Sequence, residues 1–313
     1  MSIVGVIFLL ALGYLCSSNR KAISWRTVGG AFLIQVILAV FVLATPWGGN
    51  ALQWLTMRVS DLIGAGEEGI SFLFGQLSDL EGGVGWVFAF KVLPVIIFFS
   101  SLIAVLYHLR IMQLVILLVG GGLRKVLGTS RAESFSAAAN IFVGQTEAPL
   151  VIRPHLPKMT SSELFAVMVG GLASIAGSVL AGYAGLGARM DHLIAACFMA
   201  APGGLLFAKL IMPEMEEVDD SRIELAEGED QPVNVIDAAA LGASSGLKLA
   251  LNVGAMLLAF VGLIALANLF FGEVGGWFGD PQFSLEKLLG WFFAPVAYLL
   301  GVNGSEIQQA GSL

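Results

Sequence analysis

Long apolar runs separated by short polar breaks fill this chain. A helix needs about 20 apolar residues to cross a bilayer, and the runs at 2–17, 28–47, 84–107, 164–187, 192–212 and 248–271 predict six spans. The first has no basic leader and no small-residue cleavage site, and the basic stretch Ser17–Arg26 follows it. It therefore reads as a retained span rather than a signal peptide.

The pattern changes between residues 111 and 160, which are too polar and too broken for a simple span. IMQLVILLVGGGLRKVLG, starting at Ile111, carries its charges at one end and predicts a helix lying in the membrane interface. Its glycine triplet could serve packing or bending; a phosphate loop would need Walker spacing and a preceding strand, and both are missing. SRAE at Ser130–Glu133 forms a capping box, so a helix should start near Arg131 and run into Val143. Pro149 then forbids an ordinary helix through Gly144, Gln145, Thr146 and Glu147. Prolines recur at 154 and 157, and a second capping box, TSSE at Thr160–Glu163, opens the fourth span. Two half-helices meeting at Gly144–Glu147 make a re-entrant hairpin.

Composition fixes the broad class, with 57% hydrophobic and 12% charged residues and a mean hydropathy of +0.86. That is an all-α polytopic membrane protein. Arg20, Lys21 and Arg26 after the first span, and Arg110, Arg124, Lys125 and Arg131 after the third, place those loops in the cytoplasm and the N-terminus outside. The hairpin then enters and leaves on the cytoplasmic face. The net charge of −7 is concentrated in the acidic loop 214–230, which falls inside, and a nucleic-acid partner is not expected. Cys16 and Cys197 stand in apolar runs without companions at ligand spacing, so they read as small core residues. No Ser-His-Asp grouping, HExxH or Cys-rich spacing supports an enzyme.

An amide, a hydroxyl and a carboxylate side by side at membrane depth are a functional-site signal. Gln145, Thr146 and Glu147 together can read the edge of a planar polar ligand such as a nucleobase. Carbonyls left unpaired at the break can hold a sodium ion. The other reading of Glu147 is a pair with a buried cation, for which Lys91 within the third span is a candidate, or a half-helix cap. In the fourth span, Ser174, Gly177 and Ser178 lie among small residues, which helix packing explains and ligand contact by Ser174 would also use. His108, His155 and His192 lie near interfaces and do not cluster.

SSNRKAI, FLFG, TSRAESFSAAANIFVGQTEAPLV, MTSSELFAVM, GGLASIAG, APGGLLFAKL and ALNVGAM, in that order, resemble the concentrative nucleoside transporter family, in particular its bacterial sodium-coupled members. The resemblance covers essentially the whole chain. It implies an inverted-repeat, elevator-type transporter with re-entrant hairpins, assembled as a homotrimer in the cell inner membrane and importing nucleosides with sodium. By the same resemblance Gln145, Thr146 and Glu147 contact the nucleobase, with Val179 as an apolar contact. The sodium site falls on Asn140, Val143, Ser174 and Ile175. Proton-coupled relatives carry GQSE where this chain has GQTE, which favours sodium.

The family organisation divides the chain into 1–110 with three spans, and 111–213 with the interfacial helix, hairpin and spans four and five. The acidic loop and connector follow at 214–247, then 248–313 with the sixth span, an external interfacial helix and the start of a second hairpin. The family's second-hairpin motif, Asn-Glu-Phe-Val, has no counterpart here, and Glu306 does not replace it. Relative to the family the chain reads as C-terminally truncated, and a carrier so shortened is expected to be a folded scaffold that does not transport. Proton coupling is the alternative mechanism.

Overall fold

The computed structural model describes residues 2–78, 87–145, 148–185, 187–218, 232–277, 279–280, 282–304 and 306–312. In chain order its helices are α1 (Ser2–Leu15), α2 (Trp25–Ala44), α3 (Pro46–Phe74), α4 (Phe88–Lys91), α5 (Leu93–His108), α6 (Ile111–Leu127) and α7 (Arg131–Ala139). Then come α8 (Ser161–Ala173), α9 (Leu180–Gly185), α10 (Met190–Ile211), α11 (Val235–Trp277), α12 (Leu285–Leu300) and α13 (Ile307–Ser312). Short 3-10 segments cover Gly75–Ser78, Ala148–Lys158 and Gly177–Val179.

Four helical stretches among the described residues are long and apolar enough to cross a membrane: Trp25–Ala44, Phe88–His108, Met190–Ile211 and Val235–Trp277. Two of the six expected spans differ from a simple crossing. α1 has 14 residues, short of the hydrocarbon thickness at 1.5 Å per residue. The run at 164–187 is not one helix, because α8 stops at Ala173 and Ser174 turns extended, with φ −105° and ψ 154°. Conversely, the stretch after Pro46, which lies between expected spans, forms a 29-residue helix with Pro46 at its start and Thr45 capping Gly48 N–H. The sixth span is likewise the middle of a 43-residue helix beginning at Val235.

The chain forms two compact units, 17–251 and 1–16 with 252–313. In the larger unit α10 packs on α2 and α8, and α7 is enclosed by α6, α8 and the Ala148–Lys158 segment. Ile116, Phe135, Ala138, Ala139, Val143, Ile152 and Val167 form the apolar core around this hairpin. Gly120, in the centre of α6, is where α7 crosses: a Cβ there would lie 2.5 Å from the Phe135 ring and 3.0 Å from the Ser134 carbonyl oxygen. Gly120 therefore serves packing, whereas a Cβ on Gly121 or Gly122 would meet open space, and α6 runs through the triplet unbroken.

In the smaller unit α1 packs on α12 through Gly5, whose Cβ would collide with the Leu299 carbonyl. α12 packs on α13 through Gly290 and Gly311. Asn268 holds the start of α12, accepting from Leu285 N–H at 2.8 Å and donating to the Glu286 carboxylate at 3.0 Å.

Candidate functional site

Two interruptions of helical backbone build the site. The first ends α7. Its start is the expected capping box, with Glu133 N–H donating to Ser130 Oγ at 3.3 Å and Ser130 N–H to Glu133 Oε2 at 3.0 Å. The helix closes at Ala139, four residues before Val143, and the N–H groups of Ile141, Phe142 and Val143 turn back to the carbonyls of Ala138 and Ala139. Past the tip the chain continues as 3-10 helix, since Pro149, Pro154 and Pro157 cannot donate to an α ladder. The second interruption is Ser174–Ala176, between α8 and the Gly177–Val179 turn.

Glycines press these two breaks together. A Cβ on Gly170 would lie 3.2 Å from Asn140 Nδ2, one on Gly171 2.9 Å from Gln145 Cβ, and one on Gly144 3.3 Å from Ala176 Cβ. One on Gly177 would collide with the Phe142 carbonyl oxygen. Phe142 also meets Phe198 of α10 edge-on at 6.3 Å. Non-helical backbone of this kind is tolerated at membrane depth only where protein or a cavity satisfies it, and half-helix ends facing each other are where secondary transporters place their ligands.

Asn140 is 1% exposed, and neither polar atom of its side chain has a hydrogen-bond partner among the described residues. Val143 is fully buried, while Ser174, Ile175 and Val179 are half-buried. The Ser174 hydroxyl reaches only the outer limit of a bond to the Gly171 carbonyl, 3.5 Å, and the Ile175 carbonyl is approached by the Cys197 thiol at 3.5 Å. Gln145 is exposed beside Gly171. Thr146 and Glu147 lie outside the described residues, and with them the Lys91–Glu147 pairing. The structure thus brings Asn140 and the Val143–Gln145 segment against the end of α8 and the Ser174–Ala176 break.

A second polar cluster, not anticipated from the sequence, ties down the other end of the hairpin. Lys209 of α10 forms an ion pair with Glu133, donates to Ser162 Oγ at 2.8 Å, and reaches Glu214 at 3.2 Å. Ser162 Oγ in turn donates a hydrogen bond to the Met212 carbonyl at 2.6 Å, and Thr160 Oγ1 donates to Glu214 at 2.8 Å. Thr160 and Glu163 complete the second capping box. The available signal was that Glu133 has two carboxylate oxygens and a capping box uses one, while FAKL places a Lys close to the end of an apolar span.

Three family descriptions match the chain: Na+ dependent nucleoside transporter N-terminus over residues 4–77, nucleoside recognition over 89–190, and Na+ dependent nucleoside transporter C-terminus over 192–313. An uncharacterized transporter of Haemophilus influenzae is 58% identical over 313 residues, covering all of this chain and 75% of that protein. The nucleoside permease NupC of Helicobacter pylori is 52% identical over 319 residues, again with 100% and 75% coverage. The sodium/nucleoside cotransporter 1 of Rattus norvegicus is 41% identical over 305 residues, covering 96% of this chain and 46% of the rat protein. Among solved structures, CNTnw in an inward-facing substrate-bound state is 56% identical with a TM-score of 0.93, covering 99% of this chain and 74% of that one.

Proposed function

This chain belongs to the concentrative nucleoside transporter family, whose members are carriers rather than enzymes, and we propose that it is a sodium-coupled symporter importing nucleosides across the inner membrane. Gln145, Thr146 and Glu147 read the base edge and Val179 packs against its face. Sodium is held by the Asn140 side chain, the Ser174 hydroxyl and the carbonyls of Val143 and Ile175.

The observation that carries this reading is the buried amide of Asn140, which has no hydrogen-bond partner among the described residues. Leaving such a group unsatisfied costs about 1–3 kcal/mol, which a cation at Oδ1 offsets. The four oxygens are neutral and hard, a donor set suited to sodium and unsuited to soft transition metals. Binding of sodium would draw the two breaks together, and their apposition sets the spacing of Gln145 from Val179; that is the physical link between ion and nucleoside. The homotrimer rests on the family resemblance, and the exposed apolar surface of α11, with Leu258 at 81%, is compatible with a partner or lipid along it.

Uptake of labelled uridine into liposomes holding the full-length protein tests the assignment. An inward sodium gradient should drive accumulation that vanishes in choline. Equal accumulation in choline, driven instead by a pH gradient, would show proton coupling and overturn it.

A further inference from the structure

At the junction of α6 with the start of α2 lies an open cavity of about 480 Å³, lined by Arg26, Gly121, Arg124, Lys125, Gly128 and Thr129. Three of the six lining residues are cations and none is a carboxylate. The cavity is built rather than incidental. Arg26 Nη2 donates to the Lys125 carbonyl at 3.2 Å, and Thr27 Oγ1 donates to the Leu127 carbonyl at 2.9 Å, so the last turn of α6 is tied to the first turn of α2. Gly128 takes the left-handed conformation, φ 70°, that ends α6, and the Arg26 guanidinium lies beside it, its carbon 3.6 Å from where a Cβ would stand. The guanidinium is thereby held at one rim while Arg124 and Lys125 stand in the neighbouring helical turn.

The surface leading to this cavity is apolar. On α6, Met112, Ile116, Leu123 and Leu127 are buried against the protein, whereas Leu114 and Leu118 are 59% and 67% exposed. Residues 114, 118, 121 and 125 follow the helical repeat, so they share one face. That face runs from two exposed leucines, across Gly121, where a Cβ would meet open space, to Lys125 at the cavity. Trp25, 66% exposed, stands one residue before Arg26. The basic residues assign this end of the molecule to the cytoplasmic side.

We infer that the cavity binds the phosphate headgroup of an anionic phospholipid, with an acyl chain laid over Gly121 along Leu118 and Leu114. Free phosphate shares the headgroup chemistry but has no use for the leucine track. A phosphate between the Arg26 guanidinium and the Lys125 ammonium relieves their mutual repulsion, and the bound lipid fixes α6 in the interface.

Native mass spectrometry of the full-length protein, titrated with phosphatidylglycerol, phosphatidylcholine or inorganic phosphate, separates the possibilities. Phosphatidylglycerol should bind in preference to phosphatidylcholine. Lys125→Gln, which leaves the main-chain bond from Arg26 intact, should weaken it roughly fivefold, and adding Arg26→Gln should weaken it about fivefold more. Leu118→Asn should weaken lipid binding and leave phosphate binding as it was, while Arg58→Gln, a distant charge control, should change nothing. Equal binding of phosphatidylcholine, indifference to Lys125→Gln, or full displacement of phosphatidylglycerol by millimolar phosphate would each overturn the lipid site.

Discussion

Glu133 and Lys209 form a buried ion pair, with the residues 2% and 6% exposed, that joins the first turn of the hairpin helix to the last turn of α10. Ser162 Oγ and the Glu214 carboxylate accept from the same ammonium. The network clamps the base of the hairpin, while Gly144 and Gln145 lie against Ala176 and Gly171 at the end of α8 and the break that follows it.

Removing Lys209 leaves the Glu133 charge buried and uncompensated, which costs about 3–5 kcal/mol, whereas removing Glu133 leaves Lys209 its Glu214 contact at 3.2 Å and costs less. Lys209→Met or Glu133→Gln alone should therefore lower the unfolding temperature in detergent and abolish uptake. The double variant, which removes both charges at similar volume, should recover most of the stability. If the double variant is as unstable as the sum of the singles, the two side chains do not act as a pair.

Glu214 gives the same network an acid limit. Burial opposes ionisation of this carboxyl, but the Thr160 hydroxyl, the Glu216 N–H and Lys209 outweigh it and hold it below its ordinary value of 4.5. A carboxyl with a depressed folded-state pKa contributes stability above its unfolded pKa and loses it as pH falls through the folded value. Thermal stability should thus decline on acidification below about 4.5, and Glu214→Gln should flatten that limb. An unchanged acid limb in the variant would remove Glu214 from the account.

The glycines between the breaks give a sharper test. Gly177→Ala drives a methyl into the Phe142 carbonyl, and Gly171→Ala drives one against Gln145. Overpacking of this kind costs about 1–3 kcal/mol, here charged to the approach of the two breaks, so uptake should fall several-fold or more. Gly29→Ala and Gly122→Ala meet open space and should leave uptake intact. Equal tolerance of all four substitutions in a transport assay would show that close apposition is unnecessary.

Local signals explain which parts of this architecture could be read from sequence. Both capping boxes involve residues three apart, and both appear as expected. Gly144 and Pro149 announce a break at Gly144–Glu147, but α7 already ends at Ala139, four residues before the expected end at Val143. The break at Ser174 has no proline, and only its small residues hinted at it; Pro202, by contrast, stands inside an intact α10. α3 mixes charges with apolar positions and lacks the long run that marks a span, so its 29 helical residues went unread. The Glu133–Lys209 pair joins distant segments, and no local rule finds it. The nucleoside and ion roles came from the family resemblance, since amide, hydroxyl and carboxylate side by side specify polar recognition without naming the ligand.

Asn140→Ala should raise the sodium concentration for half-maximal uptake, and Ser174→Ala should do so less, because its hydroxyl already contacts the Gly171 carbonyl weakly. Interactions of a polar group with a full charge are worth about 1.5–3 kcal/mol, or roughly 10- to 150-fold in the half-saturating concentration. Sodium titration of uridine uptake reads this directly. Identical sodium curves for Asn140→Ala and the parent protein would remove Asn140 from the ion site.

Glu147→Gln keeps the shape of the side chain and removes its charge, so it isolates the charged acceptor that the proposed base contact needs. A hydrogen bond to a carboxylate contributes about 1.5–3 kcal/mol, and nucleoside affinity should fall roughly 10- to 150-fold. Because purines and pyrimidines both present an N–H edge to an acceptor, uridine and adenosine should be affected alike. Sodium binding measured without nucleoside should change little, since the proposed ion ligands are Asn140, Ser174 and two carbonyls. Calorimetric titration of the full-length protein separates the two effects: unchanged nucleoside affinity would remove Glu147 from base recognition. Sodium affinity lost in step with nucleoside affinity would instead make it part of the ion site.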